Sequence, residues 1–299
     1  MPIPESDILQ RFIFVDSDVR GEIISLDASY RTVLQHRSHT DAVQSLIGQF
    51  MAAVGLLSAT LKFDGTITLQ ARGGDGPLAL IMADCSHHHD LRAIGQLRDE
   101  IQPDASDSID DRDIRKLIGN GHLAVTIDPQ QGSRYQGVVP LEQSRLDRCL
   151  EEYFERSEQL PTRLWITADG QRAAGLLLQA LPLEVQSLTQ REETWERLTS
   201  LAHTVSAAEQ LTLSHQQQLH RLFHQESVRL FTPQALRFAC SCSRERTANM
   251  LANLGRGEIQ SMLAEHPTIE VTCQFCHFIY AFTRTDIDAM LAATTPVLH

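Results

Sequence analysis

Two cysteine pairs near the end of the chain restrict its fold more than any other feature. "FACSCSRER" (238–246) holds Cys240 and Cys242 as C-x-C, and "CQFCHF" (273–278) holds Cys273 and Cys276 as C-x-x-C. Two close pairs separated by a folded insert commonly build a tetrahedral thiolate site. The spacing favours one Zn²⁺ held by Cys240, Cys242, Cys273 and Cys276. Four thiolates close the coordination shell, so the site is structural or a sensor. Other readings stay in view. "CQFCH" also matches the C-x-x-C-H haem attachment pattern with His277 as axial ligand, but that leaves Cys240 and Cys242 unexplained. An iron–sulfur cluster also takes four thiolates. A zinc deaminase needs P-C-x-x-C and an open position for water, whereas Thr272 precedes Cys273 here.

The rest of the composition limits the partners. The net charge is −12, with 42% hydrophobic and 21% charged residues. An acidic chain of this kind is a poor ligand for phosphate backbones, and anionic membranes are disfavoured on the same ground. The opening "MPIPESDILQRFIF" has no basic n-region and no long apolar h-region. No signal peptide is expected, and a cytoplasmic location is. In a reducing cytosol, clustered cysteines serve as metal ligands or redox groups rather than permanent disulfides. The most apolar stretch, residues 46–61, is interrupted by Gln49 and Ser58 and reads as a buried helix.

The patterning predicts an α+β fold in three parts. Residues 1–182 form an N-terminal mixed α/β domain with antiparallel strand pairs. "FIFVDSDVRGEIISLD" alternates as strands and leads into a helix near 29–36. Asp41 is placed to cap a helix on which Val43, Leu46, Ile47, Phe50, Met51, Val54 and Leu57 recur at helical spacing. "LKFDGTITLQARGGDGPLALIMA" reads as strand, turn, strand. Residues 113–118 read as a short helix, "HLAVTID" with "RYQGVVPLE" as a strand pair, "QSRLDRCLEEYFERSEQL" as an amphipathic helix, and "RLWITADGQRAAGLLLQALP" as a hairpin. Residues 183–232 are rich in Gln, Glu, His and Ser. "TWERLTSLAHTV" and "SHQQQLHRLFHQ" are expected as helices with thin apolar stripes, marginal without a surface to dock on. They form a helical, metastable linker. Residues 233–293 are a small C-terminal zinc-binding unit whose core is too slight to do without a metal staple. Ser243 is placed to cap a helix through "RERTANMLANL", a second short helix follows Gly257-Glu258, "TIEVTCQFCHFIYAF" reads as a hairpin with Cys273 and Cys276 at its turn, and "TDIDAMLAA" reads as a final helix. The helix start after Cys242, with Arg244 and Arg246, is placed to offset the negative charge of four zinc-bound thiolates.

Other motifs support plainer readings. Cys149 is expected as a small buried side chain on its helix. Cys85 is expected after a strand beside the polar loop His87-His88-His89. Asp75-Gly76-Pro77 and Gly119–Gly121 lack the P-loop pattern and read as turns. Glu151, Glu152 and Glu155 form a charged helix face. No nucleophile–base–orienter set stands out, so the chain is not read as an enzyme. An alternative class is a zinc-ribbon module for protein or nucleic-acid interaction, and the acidic charge argues against nucleic acid.

The chain resembles the heat shock protein 33 family of redox-regulated holdase chaperones. The likeness is carried by C-x-C…C-x-x-C with "CSCSRER", and by "ATLKFDG", "GDGPL", "LIGNGHLAVTI", "RYQGVV", "LEEYFERSEQLPTRL" and "AAGLLLQ", in order along most of the chain. One position departs. His277 follows Cys276 where many relatives carry a small residue, often glycine, which makes His277 a candidate to modulate zinc affinity. The resemblance implies that the reduced, zinc-bound form is inactive, with its linker docked on the N-terminal domain. It implies that peroxide or hypochlorous acid pairs Cys240 with Cys242 and Cys273 with Cys276, and that zinc then leaves. The C-terminal unit and linker unfold and expose apolar surface to unfolding client proteins. Thioredoxin-like reductants reverse the change, and the oxidised form is expected to dimerise.

Overall fold

The computed structural model describes residues 6–35, 39–60, 64–98 and 113–293. The expected helix end at His36, the start of the "LKFDG" strand and the first five residues of the opening segment lie outside the described residues. The chain divides into two compact units, with the break between Ala239 and Cys240.

In the first unit the strands are β1 (Ile8–Phe14), β2 (Val19–Leu26), β3 (Gly65–Arg72), β4 (Leu78–Ser86), β5 (Asp90–Leu97), β6 (His122–Pro129), β7 (Tyr135–Pro140), β8 (Thr162–Ala168), β9 (Ala173–Ala180), β10 (Val228–Leu230), β11 (Gln234–Ala235) and β12 (Arg237–Phe238). Its helices are α1 (Ala28–Leu34), α2 (Asp41–Ser58), α3 (Ile114–Ile118), α4 (Leu146–Tyr153), α5 (Leu188–Ala202), α6 (Ala207–Thr212) and α7 (His215–Phe223). One sheet runs β10-β1-β2-β9-β8, with β11 also on β1, and the other runs β12-β5-β4-β3-β6-β7. Pairing is antiparallel except for β12 on β5. The fold is therefore α+β: β1–β2, β3–β4, β4–β5, β6–β7 and β8–β9 are consecutive antiparallel pairs, while β2–β9 and β3–β6 pair across longer connections.

Helix α2 lies against strands of both sheets. That placement explains its composition. All seven residues at helical spacing are buried, but so are Ala52, Ala53 and Leu56 between them. A helix covered on two sides is apolar nearly all round. Gly48 and Gly55 allow the close approach: a Cβ there would lie 2.6 Å from the Tyr30 ring and 2.3 Å from Ile24. Thr40 occupies the N-cap, and Asp41 is the first-turn residue. Asp41 thus favours the helix through its charge near the positive end of the dipole rather than as the cap.

Strands β2 and β9 are buried on both faces. Ile24 and Leu177 join the core with α2, while Ile23, Leu176 and Leu178 point to the opposite face. This explains the unbroken apolar run "AAGLLL", since a strand covered on both sides loses its polar alternation. The cover on the second face is the 183–232 segment. Leu198, Ala202, Leu219, Leu222 and Phe223 pack on Phe12, Phe14, Val19 and Ile23. The rings of Phe14 and Phe223 meet edge to face at 5.0 Å. Three short helices form here, where the sequence indicated two. Each begins with a reciprocal capping box, Ser187/Gln190, Ser206/Glu209 and Ser214/Gln217. The Asp18 carboxylate, in the β1–β2 turn, accepts from the amides of Glu184, Val185 and Gln186 and ties down the segment's start.

Several details depart from the sequence expectations. Cys85 lies within β4, not after a strand, and is 1% exposed. Helix α4 stops at Tyr153 and continues as a single π-helical turn, Phe154–Glu158, closed by Gln159 in the left-handed region. Strand β5 and the short strands β10 to β12 had no distinct signal. Cys149 is buried in α4, as expected. No helix among the described residues is long and apolar enough to cross a membrane.

Candidate metal centre

The second unit contains helices α8 (Arg244–Ala252), α9 (Arg256–Glu265) and α10 (Arg284–Ala293), and the hairpin β13 (Thr268–Thr272) and β14 (Ile279–Thr283). Its core is small: Leu251, Ile259, Leu263, Ile269, Phe282 and Ile287. Strand alternation sends Phe282 into this core and leaves Ala281 exposed. Ser243 caps α8, its hydroxyl accepting from the Arg246 amide at 3.1 Å. The cap fixes the helix start directly after Cys242. At the other end the hairpin closes through Cys273 N–H to the Phe278 carbonyl at 2.9 Å and His277 N–H to the Cys273 carbonyl at 3.0 Å. Cys273 and Cys276 are thus held on a tight turn.

These two local structures bring the four cysteines together. Cys240, Cys242, Cys273 and Cys276 present sulfurs within 4.8 Å of one another, all partly buried. Cys240 and Cys273 Sγ are 3.6 Å apart, and Cys242 and Cys276 Sγ are 3.4 Å apart. A tetrahedron with ligand bonds of ~2.3 Å has edges of about 3.8 Å. The thiol cage therefore has the size and the soft donor set that a tetrahedral thiolate-bound metal requires. His277 is not part of this group. Cys85 and Cys149 are far more enclosed, and burial pushes both thiols up to about 12. Among the described residues, His87–His89 form no metal-holding group.

The four thiols lie close enough to compete for charge. Burial opposes the Cys273 thiolate, but the amides of Cys276 and Phe275 and the thiols of Cys240 and Cys276 outweigh it and bring the group down to about 7. Burial raises Cys276 to about 12, and its thiol neighbours add to the effect. Cys240 is raised for the same first reason. The Tyr280 hydroxyl donates to Cys242 Sγ at 3.1 Å. That bond pushes the phenol up to about 12, so it stays protonated and remains a donor.

The two arginines make specific contacts beside the cluster. Arg244 donates to the Ala281 carbonyl at 2.7 Å, pairs with Asp286 at 3.1 Å and lies 4.4 Å over the Phe282 ring. Arg246 donates to the Ser241 carbonyl at 2.9 Å. They brace the chain around the cluster through carbonyls and a carboxylate. Sequence reasoning did not single out Tyr280, because a lone tyrosine on a strand carries no spacing rule.

Comparison with known proteins agrees along the whole chain. The family model described as "Hsp33 protein" matches residues 7–283. A 33 kDa chaperonin of Ectopseudomonas mendocina is 49% identical over 289 residues, 96% of each chain. A 33 kDa chaperonin of Pseudomonas fluorescens is 44% identical over 293 residues, covering 97% of this chain and 95% of the relative. The crystal structure of the 33 kDa chaperonin (heat shock protein 33 homolog) of Thermotoga maritima shares the fold, with a TM-score of 0.81 at 20% identity over 97% of this chain and 99% of that one.

Proposed function

Since this chain belongs to the Hsp33 family, a non-enzymatic chaperonin family, we propose that it is a holdase switched on by oxidation of its four-cysteine cluster. Convergence of the four sulfurs in a unit with a small core carries this reading. In the reduced state Cys240, Cys242, Cys273 and Cys276 hold one Zn²⁺. The metal supplies a cross-link between the loop before α8 and the β13–β14 turn. Structural zinc contributes ~10–16 kcal/mol of apparent binding free energy in small domains. Whole-domain stability is ~5–15 kcal/mol. Losing the metal is therefore enough to unfold residues 240–293.

The chain's own chemistry releases it. A cysteine thiolate attacks a peroxide oxygen, the O–O bond breaks, and a sulfenic acid and water form. The second thiolate of the pair attacks that sulfur, the S–O bond breaks, and a second water leaves. Two thiolates, one peroxide and two protons give one disulfide and two waters. We assign the pairs as Cys240–Cys242 and Cys273–Cys276. Each closes a short loop, which adds little constraint and leaves the bond open to thioredoxin-like reductants. The 183–232 segment is the second element of the switch. Its helices, two of them under ten residues, hold to β1, β2 and β9 by one apolar stripe. Undocking exposes apolar surface to unfolding proteins, and a dimer of the oxidised chain is a further expectation.

One experiment tests the switch as a unit. The reduced chain is assayed for zinc content, free thiols and suppression of client aggregation, before and after peroxide with mild heat. Zinc release, thiol loss and suppression should rise together. Full suppression by the reduced, zinc-loaded chain would overturn the proposal. Trypsin tests the pairing. Cleavage after Arg237, Arg244, Arg256 and Arg284 leaves Cys240 with Cys242 on residues 238–244, and Cys273 with Cys276 on residues 257–284. The assigned pairs give two separate peptides under non-reducing conditions. A single linked species would instead match the nearest cross-pair sulfurs, 3.6 and 3.4 Å apart.

A further inference from the structure

Each sulfur of the cluster faces a hydrogen-bond donor, but the donors differ in kind. The Cys242 amide serves Cys240, the amides of Phe275 and Cys276 serve Cys273, and the Phe278 amide serves Cys276. Those are backbone groups, fixed by the turns that make the cage. Cys242 receives a side-chain hydroxyl, Tyr280 Oη, at 3.1 Å. Tyr280 is placed there by the hairpin. It pairs with Val271 across β13–β14 and shares a strand face with the buried Phe282, while Ile279 and Ala281 face away. The Phe278 ring packs beside it with centroids 4.7 Å apart.

We propose that Tyr280 is a positioning residue that slows oxidation of the cluster by occupying a lone pair of Cys242, an inference that rests on the zinc-switch reading above. The sulfur lone pair is what attacks an oxidant. An O–H donated to a thiolate lowers the energy of that pair and must be given up or lengthened as the S–O bond forms. When Cys242 reacts, its sulfur bonds to one peroxide oxygen, the O–O bond breaks, and the departing hydroxide leaves as water after taking up a proton. Cys240 then displaces water from the sulfenic sulfur to close the disulfide. Tyr280 is not consumed and transfers no electron. It acts only on how readily Cys242 begins. Of the donors to the four sulfurs described here, it is the one that a point substitution can remove without disturbing the backbone.

The test compares the full-length chain with Tyr280→Phe, which loses the hydroxyl and keeps the ring. Both are reduced, loaded with zinc and mixed with peroxide in the presence of a chromogenic chelator. The variant should bind the same zinc and release it on the order of three- to tenfold faster. Iodoacetamide labelling of the zinc-loaded chain supplies a readout that general loosening would not reproduce. Cys240 and Cys242 share the tryptic peptide 238–244, so their rates compare within one molecule. Labelling should accelerate at Cys242 and not at Cys240. Phe278→Leu, which disturbs the ring contact and spares the hydroxyl, should leave both rates unchanged. Equal zinc-release rates in the two chains, or uniform acceleration at all four thiols, would overturn the role of Tyr280 and leave the switch standing. A parent chain that holds no zinc, or keeps it under oxidant, would overturn both. If Tyr280→Phe fails to load zinc, the parent chain decides alone: Cys242 must label more slowly than Cys240, and the reverse order rejects the inference.

Discussion

His277 adopts φ +54°, in the left-handed region, directly after Cys276. Its amide closes the turn by donating to the Cys273 carbonyl at 3.0 Å. A residue with a Cβ held in this region costs roughly 1 kcal/mol, whereas glycine adopts it freely. A glycine at this position would relieve that conformational cost. His277→Gly should stabilise the turn by about 1 kcal/mol and tighten zinc binding roughly fivefold, as read by competition with a calibrated chelator. Weaker binding would instead assign the imidazole a direct part in holding the metal. The cysteines outside the cluster call for the opposite treatment. Cys85 and Cys149 are buried with thiols pushed up to about 12, so neither offers a thiolate to an oxidant.

At the scale of elements, the proposed switch requires the docked helices to be the part of the first unit that is lost. Their N-terminal ends are well specified by three capping boxes, but α6 and α7 are short, and the shared contact with the sheet centres on Leu219, Leu222, Phe223, Leu198 and Ala202. Polar residues are buried in the same segment: Gln218 is 3% exposed and its Nε2 is without a partner. An unpaired buried amide costs about 1–3 kcal/mol. Phe223→Ala should remove about 3–5 kcal/mol from docking. Amide exchange across 188–223 should then accelerate, and the reduced chain should suppress client aggregation without oxidant. Unchanged exchange would show that docking does not depend on this ring. Much of this architecture was legible in the sequence. The periodicity of α2 and the "DG" turns located the helix and the hairpins around it, and Ser243 marked the start of α8. The C-x-C and C-x-x-C spacings named the four sulfurs of the cluster. The motif S-x-x-[E/Q] at 187, 206 and 214 would have revealed α6, had its local chemistry been weighed above the thin apolar stripe. What was not legible depends on distant partners. Strand β5 is recognisable only beside β4, and the contact of Tyr280 with Cys242 exists only once a hairpin and a helix start have met.

Across the whole molecule, two buried titratable groups place opposing demands on acid. His215, at the start of α7, is 1% exposed. Its Nε2 lies 3.0 Å from Ser25 Oγ and its Nδ1 3.2 Å from Gln10 Oε1, so both ring nitrogens are engaged by the sheet below. Burial lowers its pKa from 6.5 to about 4. The undocked helix takes up a proton near pH 6.5 that the docked helix refuses until about pH 4. Docking is thus full above 6.5, weakens as pH falls through this window, and has lost about 3 kcal/mol below it. Glu22 does the reverse. Burial raises its carboxyl from 4.5 to about 7, against the pull of Arg11, which pairs with it at 2.8 Å. The folded sheet holds a proton there that the unfolded chain has released, so this contribution favours the fold at low pH and is lost as pH rises from 4.5 through about 7. In global unfolding the two groups offset each other, whereas of the two only His215 lies on α7. Between about pH 7.5 and pH 4.5 the melting temperature of the first unit should therefore move little, while amide exchange in α7, corrected for its intrinsic pH dependence, should rise on the order of 50- to 100-fold. His215→Asn should flatten that rise and leave the opposing slope of Glu22 in the melting curve. Equal pH dependence of α7 exchange in the two chains would remove His215 as its source.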